Sequence, residues 1–84
     1  MTRRTVLVNI FCTNLRRIRK EKGVTQVEMA ARLGVSQASY SYLERGGYAA
    51  SLETIERVSS AIGIAAFELL VPHSTPKKSK QLAP

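Results

Sequence analysis

The 84-residue chain has no Trp, one Cys (Cys12) and one His (His73), and aromatic residues make up only 6% of it. With so few rings the core must be mainly aliphatic. A single Cys excludes an intrachain disulfide, and so few soft ligands make a zinc site hard to assemble. No apolar run approaches the roughly 18–20 residues that a transmembrane helix needs. The apolar stretch Val6-Leu7-Val8 is interrupted by Asn9, which leaves it too short for a signal-peptide core. One Cys and one C-terminal His offer no nucleophile–base triad, and no carboxylate pair marks a cleft, so catalysis is not expected. No cofactor or metal is expected either, and the default compartment is the reducing cytoplasm.

What the chain does have is an ordinary globular composition, 44% hydrophobic and 23% charged, with a net charge of +7. Its length allows one small core and short tails. The charge is unevenly placed. Residues 1–24 carry Arg3, Arg4, Arg16, Arg17, Arg19, Lys20 and Lys22 against Glu21 alone. Residues 25–71 carry three arginines against five glutamates, and residues 72–84 add Lys77, Lys78 and Lys80. Basic ends around a slightly acidic middle fit a polyanionic partner, although solubility alone could also explain them.

The pattern predicts an all-α domain over residues 9–71, preceded by an N-terminal arm, 1–8, and followed by a disordered basic tail, 72–84. Only Thr5-Val6-Leu7-Val8 reads as extended. From Asn9, Phe11 or Cys12, Leu15, Ile18 and Lys22 form one stripe, with Arg16, Arg17 and Lys20 facing away. Gly23 ends this helix. Thr25-Gln26-Val27-Glu28 is a capping box that opens a second helix, with Met29, Ala30 and Leu33 inward and Gly34 as its stop. Ser36 caps a third helix, from Gln37 to about Arg45, with Tyr40 and Leu43 inward. Ser51 caps a fourth, with Leu52, Ile55, Val58 and Ile62 on its core face, ending at Gly63. Ala65 to Leu70 is expected as a short fifth helix, although no good N-cap precedes it.

Two short helices joined through a Gly turn form a helix-turn-helix. Gly34 supplies positive φ, Ala30 permits close helix approach, and Val35 is expected to plug the turn into the core. The next helix begins Gln37, Ala38, Ser39, and its outward face also carries Ser41 and Tyr42. Gln can pair with adenine, and a small side chain can touch a thymine methyl or simply allow close approach. The free amides at the start of the second helix, beside Thr25 and Gln26, suit a phosphate.

The run Leu15 to Ala30, then Leu33-Gly34-Val35-Ser36-Gln37, Leu43-Glu44-Arg45-Gly46, Ser51-Leu52-Glu53-Thr54-Ile55 and Ala61-Ile62-Gly63-Ile64, resembles the Cro and phage-repressor type of helix-turn-helix. The resemblance spans about residues 11–70. It implies a five-helix, lambda-repressor-like domain that binds operator DNA as a two-fold dimer, with residues 37–45 as the recognition helix in the major groove. It also implies a phosphate contact at Gln26 and a structural Arg19–Glu44 pair. A controller of a restriction–modification operon and a phage-type repressor both fit this layout, as the resemblance implies.

Base-contact candidates are therefore Gln37, Ala38, Ser41 and Tyr42. Phosphate-contact candidates are Thr25, Gln26, Ser36, Ser39, Arg45 and Tyr48, together with Arg3 and Arg4, which belong either to a groove-entering arm or to a frayed terminus. The sequence departs from the family at Tyr40 and Tyr42, which leaves the DNA-facing surface poor in cations. Arg3, Arg4, Arg45 and the first helix are expected to supply the phosphate attraction. Phe67, Leu69, Leu70 and Val71 are difficult to bury together within one chain, and Phe67, Leu70 and Val71, with Ile64, form the candidate homodimer interface, extended by Val6 to Val8.

The function expected is a sequence-specific, double-stranded-DNA-binding transcriptional regulator or repressor, dimeric on a pseudo-palindromic operator and located with the nucleoid. RNA polymerase or a cognate protein are further candidate partners. An antitoxin-type module that mainly grips a protein is the rival reading. A membrane-surface role is disfavoured because the apolar stripe of the first helix is needed for the only core available.

Overall fold

A computed structural model describes residues 5–73. Four α-helices follow in order: α1 (Val6–Glu21), α2 (Gln26–Leu33), α3 (Gln37–Glu44) and α4 (Leu52–Ile62), then a single 3-10 turn over Ala66–Leu69. No strand occurs among the described residues. The arm residues Arg3 and Arg4 and the tail from Ser74, with Lys77, Lys78 and Lys80, lie outside the described residues.

Every α-helix opens on a hydroxyl. The side chains of Thr5, Thr25, Ser36 and Ser51 accept from the amides of Val8, Glu28, Ser39 and Thr54 at 3.0–3.1 Å. At α2 the box is complete, because the Thr25 amide donates to Glu28 Oε1 at 2.8 Å. That amide holds the Glu28 carboxyl below its ordinary pKa. The Thr5 cap corrects the extended reading of Thr5–Val8, since α1 starts at Val6. The cap had no acidic partner three residues on to betray it, and a β-branched run hid the helix.

The helix ends are closed in two ways. Gly34 and Gly63 take φ of 71° and 82°, and the amides that follow them turn back to Ala30 O and Ser59 O at 3.0 Å. Two arginines complete the closure reciprocally. Arg57 Nη2 donates to Leu33 O at 2.8 Å, and Arg32 Nη1 donates to Ala61 O at 2.9 Å. Each cation thus sits at the negative end of the other's helix dipole. Val35, expected in the core, is instead 41% exposed. Its amide is drawn back to Ala30 by the left-handed turn, which leaves the side chain on the outside of the elbow.

Leu15, Met29, Tyr40, Val58 and Leu69 are the centre of the core, surrounded by Phe11, Cys12, Ile18, Ala30, Leu33, Leu43 and Ile62. The Cys12 thiol lies 3.6 Å from Leu43 O. Leu52 does not join this core and is 82% exposed. As the first residue of α4 it lies beyond the layer that Val58 and Ile62 build.

The expected fifth helix is only the 3-10 turn. Ala65 offers no side-chain cap, and Pro72 stands close behind. The carbonyls there are served by a side chain from α1. Buried Asn14 places Nδ2 2.8 Å from Val71 O and 3.0 Å from Leu69 O, with Glu68 O at 3.4 Å. Its two amide hydrogens are used by the two short bonds, and its Oδ1 accepts from Arg17 Nη2 at 3.0 Å. Asn14 therefore ties the C-terminal turn to α1, a role its place among apolar neighbours did not signal. We predict that Asn14→Ala costs about 1–3 kcal/mol in urea unfolding, because buried carbonyls lose their donor. An unchanged midpoint would show that the turn docks through Leu69 alone.

Candidate nucleic-acid interface

Helices α2 and α3, with the Gly34 elbow between them, form a helix-turn-helix whose outer surface is mainly α3. On α3, Gln37, Ala38, Ser41 and Tyr42 are spaced i, i+1, i+4 and i+5, which places them on one side of the rod. Gln37, Ala38 and Tyr42 are exposed and Ser41 is half-buried. On the opposite side, Tyr40 and Leu43 are buried against the core. Ser39, Arg45 and Tyr48 are exposed, as are Thr25 and Ser36, whose hydroxyls are engaged as caps. The first amides of α2, at Gln26 and Val27, have no acceptor within their helix.

This surface is braced from beneath by one carboxylate. Glu44, the last residue of α3, is 3% exposed and accepts four hydrogen bonds. Arg19 Nε reaches Oε2 at 2.6 Å, and Arg19 Nη2 reaches Oε1 at 3.1 Å. Tyr40 Oη donates to Oε2 at 2.7 Å, and Gln26 Nε2 donates to Oε1 at 2.9 Å. Arg19 Nη1 is satisfied by Val24 O at 2.9 Å. Three helices thus meet on two oxygens, and Arg19 ties the α1–α2 loop to them through Val24 O. Burial on its own would raise the Glu44 pKa. The hydrogen bonds from Arg19, Tyr40 and Gln26, with the Arg19 charge, outweigh it and hold the carboxyl below its ordinary value. Arg19 is pushed up, chiefly by its bond to Glu44. Burial first, and the bond to Glu44 second, pushes the Tyr40 phenol upward.

The brace changes the picture of Gln26. Its side chain is half-buried and one amide hydrogen is spent on Glu44, which leaves the second hydrogen and Oε1 free to face outward. No sequence signal joined Gln26 to Glu44, whereas Tyr40 and Glu44 share an i, i+4 spacing that could have been read. The sequence also gave no hint of an aromatic group at the end of α3. Tyr42 and Tyr48 have ring centroids 5.4 Å apart, and the Arg45 guanidinium lies 5.7 Å from the Tyr42 centroid. Gly47 packs so closely beneath Tyr42 that a Cβ there would overlap the ring. No group of three His, Cys, Asp or Glu among the described residues could hold a metal ion. No helix there is long and apolar enough to cross a membrane.

Removing one member of the brace leaves a buried charge or donor without its partner. We predict that Arg19→Met costs about 3–5 kcal/mol in thermal or urea unfolding, and that Arg19→Met with Glu44→Leu recovers much of it. A double variant no more stable than Arg19→Met would show that the cost does not come from an unpaired Glu44 carboxylate. The lowered Glu44 pKa also gives a pH dependence. With the folded value below the unfolded one, the stabilisation is complete above the ordinary glutamate pKa of about 4.3 and is lost as pH falls through the folded value. Urea midpoints measured from pH 6 downward should therefore fall more steeply for the wild type than for Glu44→Gln; parallel slopes would rule this out.

Comparison with known proteins agrees with this geometry. The Helix-turn-helix family model matches residues 15–69. The chain is 42% identical over 60 residues to y4dJ, an uncharacterized HTH-type transcriptional regulator of Sinorhizobium fredii, covering 71% of this chain and 78% of that protein. It is 35% identical over 60 residues to the control protein C.MunI of a Mycoplasma species, covering 70% of this chain and 81% of that one. Among solved structures, the hypothetical transcription factor NHTF from Neisseria superposes with a TM-score of 0.76 at 30% identity, over 98% of this chain and 91% of that one. The matched span runs from Leu15 on α1 to Leu69 of the C-terminal turn, so it takes in the brace, the elbow and the outer face of α3, and the chain belongs to the helix-turn-helix family.

Proposed function

We propose that this chain is a sequence-specific regulator of transcription that binds double-stranded DNA as a two-fold dimer. In this reading α3 lies in the major groove, with Gln37, Ala38, Ser41 and Tyr42 toward base edges. Thr25, Gln26, Ser36, Ser39, Arg45 and Tyr48 face the phosphates on either side, joined by Arg3 and Arg4 of the arm. The observation that carries the reading is the uncommitted, mainly uncharged face of α3, fixed to α1 and α2 by a fully satisfied buried carboxylate. A short rod with rigid placement and free amide, methyl and hydroxyl groups is what reading base edges requires. The only carboxylate among the α3 side chains is neutralised by Arg19, so α3 does not repel phosphate. The names carried by the relatives, a transcriptional regulator and a control protein, support the same reading.

Dimerisation is supported by the apolar end of the domain. Phe67 is 67% exposed and Val71 is exposed too, with Ile64 and Leu70 half-buried beside them. Leu70 also borders an apolar cleft of about 110 Å³ lined by Leu7, Val8, Phe11 and Ile55. Exposed apolar area continuing from the C-terminal turn to the start of α1 fits a second copy. Half-sites would then lie about one DNA turn apart, roughly 34 Å.

Selection from random duplexes tests specificity, symmetry and spacing together, and two half-sites one turn apart are expected. On the selected site, Gln37→Ala should cost about 1–3 kcal/mol and relax preference at one base pair. Arg3→Ala with Arg4→Ala should weaken all sequences alike and flatten the salt dependence. Unaltered base preference in Gln37→Ala would mean that another face is used, and a monomer in sedimentation at tens of micromolar would remove the dimer.

A further inference from the structure

On the face of α3 that Gln37 shares, Ala38 and Tyr42 stand one turn apart and form an apolar strip among amide and hydroxyl groups. Tyr42 remains 46% exposed although three residues from the following segment close around it. Arg45 stacks on the ring, Tyr48 packs against it at a 48° tilt, and Gly47 lies beneath it. The Gly47 amide also donates to Tyr42 O at 2.9 Å, which pins the loop to this turn of the helix. Gly47 is not among the glycines with positive φ, which are Gly23, Gly34, Gly46 and Gly63. Its backbone is therefore open to other residues, and its missing side chain serves one purpose here, room for the Tyr42 ring.

A ring held in this way has already lost the rotamer freedom that binding would otherwise remove. Nearly half of the residue stays open to solvent, on the face of α3 that carries Ala38 one turn earlier. In the major groove, base edges present donors and acceptors, with one apolar group, the C5-methyl of thymine. We propose that Tyr42 reads the 5-methyl group of a thymine in each half-site, and that Gly47, Tyr48 and Arg45 are positioning residues that hold its ring for that contact. The proposal rests on the reading of α3 as the recognition helix. It adds to that reading the base read by Tyr42, the group on that base, and the residues that prepare the contact.

The test changes the DNA before it changes the protein. In the duplex recovered by selection, each thymine is replaced singly by uracil, which removes only the methyl, and affinity is measured by fluorescence anisotropy at one fixed salt concentration. The wild type should weaken about fourfold at one thymine of each half-site, the scale expected for one buried methyl. Tyr42→Phe keeps the ring and should keep this discrimination. Tyr42→Ala and Gly47→Ala should bind uracil and thymine duplexes equally at that position, with circular dichroism unchanged. Wild-type indifference to uracil at every position overturns the proposal and leaves specific DNA binding intact. Equal discrimination by Tyr42→Ala also overturns it, and loss of discrimination in Tyr42→Phe would assign the contact to the hydroxyl and so refute the methyl reading. Retained discrimination in Gly47→Ala would refute the positioning role. Failure of selection to enrich any duplex would bring down the DNA-binding reading and this proposal together.

Discussion

The Glu44 carboxylate is the point on which the arrangement of α1, α2 and α3 depends. It is buried, and burial of an unpaired carboxylate is strongly unfavourable, so the packing of the three helices that suits it is the one that brings Arg19, Tyr40 and Gln26 to it together. Hydrophobic contact between the same helices would tolerate small rotations of one against another. Four directional bonds to two oxygens do not. Net stability from such a cluster is modest, because the bonds replace hydration that the charges have lost. What the cluster adds is direction, since its bonds tie the C-terminal end of α3 to both α1 and α2.

The remainder of the domain solves a different problem, that of short helices with many ends. Helices α2 and α3 have eight residues each, so much of their backbone belongs to first or last turns. Hydroxyl caps satisfy the amide ends locally. The carbonyl ends are satisfied from a distance: Arg57 serves α2, Arg32 serves α4, and Asn14 serves the C-terminal turn. Secondary structure and tertiary packing are therefore not separable at these ends, since α2, α4 and the C-terminal turn are each completed by a side chain from another element.

Two surfaces of opposite character remain. The α2–α3 side offers free polar groups and a small clamped aromatic cluster. The end formed by the C-terminal turn and the start of α1 offers exposed Val6, Leu7, Phe67 and Val71. Polar groups held on a rigid element suit the reading of another polar, patterned molecule, and exposed apolar side chains suit self-association. On the function proposed above, the two surfaces divide the work, one toward DNA and one toward a second copy.

Several features of this protein are written in its sequence. Thr25, Ser36 and Ser51 announced their helices because a cap acts within three residues, and Gly34 and Gly63 announced their ends for the same reason. The inward positions Leu15, Ile18, Met29, Leu43, Val58 and Ile62 followed from helical spacing, and the outer face of α3 from what that spacing left over. Resemblance to the phage-repressor type joined Arg19 to Glu44, which spacing alone could not do. The tertiary structure decided the rest. How the C-terminal turn is held depended on Asn14, about fifty residues earlier in the chain, donating to its carbonyls. Whether Leu52 and Val35 were core or surface depended on where the packed layer stopped. The bond from Gln26 to Glu44 and the closure of Gly47 on Tyr42 arise from the folding of α3 and its loop. Local backbone chemistry is legible because its partners are neighbours in sequence; contacts that need two distant segments to meet are fixed only once the chain has closed on itself.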